Sequence, residues 1–272
     1  MTSMPRRVRA APLLLPLAIA GASVASTGCD LAMQHYSEKQ TAEWRKTYDL
    51  KPGGRIEIRN VNGRIEVQPS TGSAVEVVAE KSANGASVEA AKEALSGIDI
   101  QDTASPDEIR IVTKVSRAGG GLFGGGNQMV HYTVKVPASA EAIFATINGG
   151  VELTGLKGRV TAEATNGGVR ARDISGPLDA STTNGGVEVE LAAVADSGVK
   201  LECVNGGIEL KLPSTAKANI SARISNGGIN ASGLAIETVG ESSKRRLEGR
   251  LNGGGPQIEL SGTNGGIRIS SR

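Results

Sequence analysis

The sequence predicts an all-β protein: a single-stranded β-helix, or β-solenoid, with coils of 18–21 residues and one short helix in its N-terminal half. Three observations carry this reading. Asn-Gly recurs at Asn148, Asn166, Asn184, Asn205 and Asn226, at intervals of 18, 18, 21 and 21 residues, with further copies at Asn62 and Asn264. The third and fifth residues after every one of these Asn are apolar, from Ile65 and Val67 to Ile267 and Ile269, and the residues two, four and six before are mostly apolar or small. A period of two on both sides of each Asn-Gly means strands with one dry and one wet face.

The third observation is charge placement. Asn-Gly between alternating strands is also the strongest short hairpin signal. A hairpin pairs Glu163 with Arg170 but opposes Glu202 to Glu209, Asp179 to Glu190 and Lys200 to Lys211. Stacking equivalent positions of successive copies at roughly 4.8 Å instead places Glu152 on Arg170, Arg170 on Glu188, Arg172 on Glu190, Glu190 on Lys211, Asp179 on Lys200 and Glu202 on Arg223, against one clash of Glu188 on Glu209. Exposed pairs contribute only about 0–1 kcal/mol each, so they report register; the stability comes from the apolar columns. Asn tolerates the left-handed region and Gly enters it freely, which makes each Asn-Gly a corner. Stacking then puts Asn62, Asn148, Asn166, Asn184, Asn205, Asn226 and Asn264 in one column, where their side chains form a structural turn ladder.

The elements follow in order. Arg6, Arg7 and Arg9, the apolar run Ala10–Ala25 broken by Pro12 and Pro16, and Ser26-Thr27-Gly28-Cys29 read as an export signal over 1–28. Thr27-Gly28-Cys29 resembles the lipobox of bacterial lipoproteins, which implies lipid attachment at Cys29; Ser26 stands where that pattern usually has Leu, and cleavage near Ala25 is the alternative, giving a soluble periplasmic or secreted chain. Polar residues over 29–46 read as lipid anchor and tether. Residues 47–137 form irregular coils with strands at Arg55–Ile58, Val75–Val78, Ile109–Val112 and Val130–Val136, a glycine loop at Gly119–Gly126, and a helix over 87–95 capped by Ser87 and stopped at Gly97. Residues 138–271 carry the regular repeats. Between Gly233 and Gly255 the period breaks around a basic cluster, Lys244, Arg245, Arg246 and Arg250, read as a solvated protruding loop or a widened last coil.

Composition narrows the chemistry. Thirty basic against 28 acidic residues leave +2, too little to hold nucleic acid by phosphate neutralisation. Two Cys and two His cannot furnish a four-ligand zinc site with anything to spare. With Cys29 lipidated, Cys203 is a lone, small buried hydrophobe, and neither His35 nor His131 has a nucleophile beside it. Gly119-Gly120-Gly121-Leu122-Phe123-Gly124 matches a dinucleotide fingerprint in letters only, since it opens no helix. No phosphate loop, zinc-protease motif or nucleophile elbow is present. No catalytic residue, cofactor or metal is therefore assigned. Asp173 and Asp179, flanking Ser175-Gly176-Pro177, are the one carboxylate pair to weigh for a polysaccharide-active enzyme.

Lys51-Pro52-Gly53-Gly54-Arg55-Ile56-Glu57-Ile58, the turn Asn60-Val61-Asn62-Gly63, the Thr-Asn-Gly-Gly-Val copies and the closing Thr263-Asn264-Gly265-Gly266-Ile267-Arg268-Ile269 resemble the bacterial envelope family called putative adhesin, or DUF4097, over roughly 47–271. That resemblance implies a β-solenoid at the cell envelope and brings no catalytic residues. The expected function is a non-enzymatic envelope lipoprotein, an adhesin-like interaction module held to a membrane by its N-terminal lipid. Its faces would meet an envelope protein or glycan, with neither nucleic acid nor nucleotide as partner. The alternatives are an envelope-stress or regulatory component acting through the basic loop, and a polysaccharide-active β-helix enzyme.

Overall fold

A computed structural model of the chain describes residues 38–116, 127–240 and 242–272. The expected export signal, Cys29, His35 and the glycine stretch 119–124 lie outside the described residues.

Each coil contributes one strand before its Asn-Gly corner and one after it, and the strands stack into two faces around a shared core. The first face runs β5 (Ile98–Ala104), β6 (Glu108–Val115), β2 (Arg55–Asn62), β8 (Glu141–Asn148), β10 (Val160–Asn166), β12 (Leu178–Asn184), β14 (Val199–Asn205), the first half of β19 (Gln257–Ser271), the first half of β16 (Ala218–Ser232), β18 (Arg246–Leu251) and β17 (Ile236–Thr238). The second face runs β1 (Glu38–Asp49), β4 (Ala74–Gly85), β7 (Gln128–Pro137), β3 (Ile65–Ser70), β9 (Val151–Thr154), β11 (Val169–Ile174), β13 (Val187–Leu191), β15 (Ile208–Leu212), then the second halves of β19 and β16. The stacked coils pair in parallel and in register, Asn166 opposite both Asn148 and Asn184, as a solenoid requires and a hairpin forbids. Antiparallel strands flank the parallel stack at both ends.

Inward positions form continuous columns. Ile56, Ala142, Val160, Leu178, Val199, Ile258 and Ile220 stack in one, and Ile65, Val151, Val169, Val187, Ile208 and Ile267 in another, all buried in one apolar cluster. With few aromatics available, these aliphatic columns supply the burial, at roughly 25 cal/mol per Å².

The stacking order departs from chain order. The last strand, β19, inserts between β14/β15 and β16, so Asn205 faces Asn264, and Asn264 faces Asn226. Glu202 therefore meets Ser261 rather than Arg223. At the other end β6 and β7, later in sequence, stack beneath β2 and β3. Every copy offers the same strand edges, so the repeat alone does not order them.

The folded part also begins earlier than the polar composition of 29–46 suggested: β1 starts at Glu38 and pairs with all of β4. As an edge strand it is exposed on nearly every side chain, and its apolar alternation is accordingly weak. Helix α1 (Val88–Ser96) starts at Ser87, whose hydroxyl accepts from Ala90 N at 3.2 Å; it buries Ala91 and Ala94 beside β4 and β1. Gly97 follows with right-handed φ of −74° and leads into β5.

Two polar clusters close this end of the stack. Tyr132 Oη and Thr113 Oγ1 lie 2.7 Å apart in the core, joining β7 to β6. Farther out, Asp102 of β5 accepts from Lys46 Nζ at 2.7 Å and from Tyr48 Oη at 2.9 Å, both on β1. The opposite end holds the basic segment. Arg246 and Arg250 belong to strand β18 paired with β16, and Lys244 and Arg245 form the turn before it, so this is a hairpin tip and strand in place of the expected loop. The period breaks there because β18 runs antiparallel to β16 and β17 in turn pairs antiparallel with β18, so neither continues the parallel stack.

Candidate functional site: the corner ladder and the outer faces

The corner is built from backbone approach as much as from turn preference. The N–H of Gly185 donates to Asn205 O and that of Gly167 to Asn184 O, so the parallel hydrogen bonding continues through the bend. The first glycine of each corner has positive φ, +150° at Gly185, and a Cβ there would fall on the carbonyl oxygen of Gly167 in the coil before. Those carbonyls are themselves occupied: Gly167 O accepts Thr182 Oγ1 at 2.6 Å and Gly185 O accepts the Cys203 thiol at 3.2 Å. Burial pushes the Cys203 thiol pKa up, which keeps it protonated as a donor.

Outside the glycines, the Asn side chains form a one-way chain. Nδ2 of Asn226 donates to Oδ1 of Asn264 at 2.9 Å, then Asn264 to Asn205 (2.8 Å), Asn205 to Asn184 (2.9 Å), Asn184 to Asn166 (2.9 Å), Asn166 to Asn148 (2.8 Å) and Asn148 to Asn62 (2.7 Å). Asn62 ends it on Gln128 O at 3.0 Å. The amides thus satisfy one another, which makes the ladder a structural spine. Beside it stand the exposed Ile147 and Val204, each one residue before its Asn.

The outer surface of the second face carries the charge rows. Arg170 Nε bonds Glu188 at 2.9 Å and its Nη1 reaches Glu152 at 3.4 Å. The Arg170 bond holds Glu188 below the ordinary carboxylate range, and the same bond raises Arg170. Glu188 does sit in register with Glu209, but Lys211 (3.4 Å) and Arg268 (3.6 Å) bridge Glu209. Arg172 does not stack on Glu190: Asp173 adopts φ +54° and shifts the register, and Glu190 binds the C-terminal residue's side chain, Arg272 Nε, at 2.6 Å. On the first face Lys200 is registered on Asp179 yet bonds Glu202 at 3.0 Å along its own strand, and on the second Lys211 likewise prefers Glu209 to its stacked neighbour Glu190. Between these rows and the ladder, the second glycines Gly150, Gly168, Gly186, Gly207, Gly266 and Gly228 floor a shallow open trench in stacking order.

Asp173 and Asp179 belong to different faces. Arg272 Nη2 holds Asp173 at 2.7 Å on the second, while Asp179 lies on β12 of the first, its pKa raised by burial against the opposing pull of Lys200. They do not form a catalytic couple. His131 Nδ1 accepts the Arg64 N–H at 3.2 Å, a local link between β7 and β3. Among the described residues no cluster of His, Cys, Asp or Glu is arranged to hold a metal ion, and no helix is long and apolar enough to cross a membrane. Sequence reading missed the Arg272 clamp and the Lys46–Asp102–Tyr48 cluster, since neither belongs to the repeat and no motif marks them.

Fold and surface together define a stacked-coil β protein with long, repeating outer faces. Residues 138–270, the regular coils, match the family described as Toastrack DUF4097. No curated protein matches the chain. Among solved structures, similarity is found to a putative cell adhesion protein from Clostridium sporogenes ATCC 15579, at 10% identity over 85% of this chain and 100% of that one, TM-score 0.45. A putative adhesin from Bacteroides fragilis NCTC 9343 has 9% identity over 85% and 97%, TM-score 0.26. A putative lipid binding protein from Parabacteroides distasonis ATCC 8503 has 11% over 84% and 96%, TM-score 0.25.

Proposed function

We propose that this chain is a non-enzymatic, adhesin-like module of the cell envelope, exported by residues 1–28 and held to a membrane by lipid on Cys29, that presents its outer second face to an extended envelope protein or glycan. The observation that supports it most is the in-register row Glu152–Arg170–Glu188 beside the glycine-floored trench. Identical spacing from coil to coil offers an extended partner the same chemistry at each step of roughly 4.8 Å. The observed corner chemistry is spent on holding coils together, leaving the outer rows for contact. Because β1 begins at Glu38, a lipid on Cys29 leaves nine residues, 29–37, between the bilayer and the first strand. Fully extended these span at most about 30 Å, so the module would work close to its membrane.

Two measurements test this. Fatty-acid labelling of cells should mark the chain and fail on Cys29→Ser; equal labelling of both ends the lipid reading. Crosslinking in intact cells should capture a partner, and Arg170→Glu should abolish capture without changing the far-ultraviolet dichroism. Undiminished capture by Arg170→Glu would move the contact off this face.

A further inference from the structure

The two ends of the stack are finished differently. On the second face, β7, β4 and β1 close one end, and β1 places Glu38, Lys39, Glu43, Arg45, Lys46 and Asp49 along its edge. Charges of this kind keep an edge strand from pairing with another chain.

At the other end the second face stops at β16. Its segment Asn226–Ser232 reads Asn-Gly-Gly-Ile-Asn-Ala-Ser, with no charge and no proline. Ile229 and Ala231 occupy the columns where Ile267 and Ile269 are buried in the neighbouring coil, yet Ile229 is only half-buried and Ala231 is exposed. Leu234 and Ile236, which follow in the chain, are packed against the core only in part, and Val239 is exposed. Strand β18 covers only Ala218–Arg223 of β16, and Lys244 O reaches Ile229 N at 2.9 Å; beyond it Asn230–Ser232 pair with β19 on their inner edge, and among the described residues no strand pairs with their outer edge.

We infer that this end is an interface between two copies of the chain, joined about a two-fold axis near Ala231 with their β16 edges antiparallel. Charge favours a second copy as the occupant. The basic tip sits at the start of the edge, where Arg245 O accepts from Ile224 N and Lys244 O from Ile229 N, and Glu237 follows its end. Antiparallel pairing brings the basic tip of each protomer to the Glu237 end of the other, while the uncharged strand between them brings no repulsion. Such an isologous contact closes on itself. The charged β1 edge at the opposite end disfavours head-to-tail growth, so the expected assembly is a dimer and not a fibre.

The test is disulfide trapping of the full chain in the oxidising envelope. Ala231→Cys should give a non-reduced band at twice the chain mass, while Gln40→Cys on β1 and the chain without added cysteine should not. Adding Asn230→Lys to Ala231→Cys should remove the band. Absence of the doubled band with Ala231→Cys, its equal presence in the controls, or trapping to a protein of another mass would each overturn the inference. Asn230 and Ala231 are exposed and Gln40 is half-buried, so retention of the β dichroism checks that the fold is intact in each variant.

Discussion

The corner makes its sharpest prediction at two neighbouring glycines. Gly185 and Gly186 are adjacent in sequence, yet only the first has positive φ and only its added Cβ would collide with backbone; a Cβ on Gly186 meets Gly207 O at 3.5 Å, an ordinary contact. Gly185→Ala therefore carries three costs. Holding an L-residue in a sparsely populated backbone region costs about 1–3 kcal/mol. Forcing a methyl against a neighbouring coil costs about 1–3 kcal/mol more. Gly167 O cannot swing aside without loosening its bond from Thr182, worth about 0.5–1.5 kcal/mol.

The sum is about 2.5–7.5 kcal/mol, a large part of the roughly 5–15 kcal/mol that keeps a domain folded. Gly186→Ala should be neutral or stabilising by up to about 1 kcal/mol, because it removes freedom from the unfolded chain. Urea unfolding followed by dichroism reads the difference. With m of about 2 kcal/mol per M, a 4 kcal/mol loss lowers the midpoint by about 2 M. Equal midpoints for the two variants would refute close coil approach as the reason for the first glycine, leaving only a loose turn preference.

Further outcomes follow from the same geometry. Asn184→Ala removes two ladder bonds and Asn226→Ala one, so urea midpoints should show losses of about 1–2 and about 0.5–1 kcal/mol. Asp102 is held below the ordinary carboxylate value by its bond from Lys46 first and from Tyr48, so its stabilisation is present above pH of about 4 and fades as pH falls through the lower folded value. Asp102→Asn should flatten that acid limb of a midpoint-against-pH series. Burial pushes Tyr132 up to about 12, so the unfolded chain ionises first and stability should drain between pH of about 10 and 12, less steeply in Tyr132→Phe. In a Cys29→Ser chain, Cys203 should resist maleimide while folded and react once in urea, because the thiol is buried and its pKa raised.

What the sequence disclosed was whatever repeats. The inward columns, the corner positions and the pairs Glu152–Arg170–Glu188 follow from copy-to-copy equivalence, because parallel strands in register place like on like. What it concealed was whatever breaks equivalence. Glu202 never reaches Arg223 because β19 lies between their strands, and any copy could have filled that slot. Arg172 misses Glu190 because a single left-handed residue, Asp173, slips the register locally. Strand β1 escaped notice since it is partly buried only at Gln40, Trp44 and Tyr48, every fourth residue, and so does not alternate with period two, and Arg272 because a clamp made once has no period.

The insertion of β19 bears on how the molecule is completed. Until the last residues arrive, β14/β15 and β16 each present a bare parallel edge, and the apolar columns are interrupted between Ile208 and Ile229. Parallel pairing between distant segments carries a closure cost before it returns any contact, so the final coil should dock late and all at once. Asn264 then receives Asn226 and donates to Asn205, joining two runs of the ladder. Arg272 ties the finished strand to Glu190 and Asp173, two and three coils away in stacking order. Deleting 257–272 should therefore do more than remove one coil: it leaves β16 with no partner on its inner edge and should abolish cooperative unfolding. Arg272→Ala, losing only exposed pairs of about 0–1 kcal/mol each, should barely shift it. A truncated chain that still melts in one sharp step would show that β14/β15 can be the end of a stable stack, and that the last coil is an addition to the fold rather than its closure.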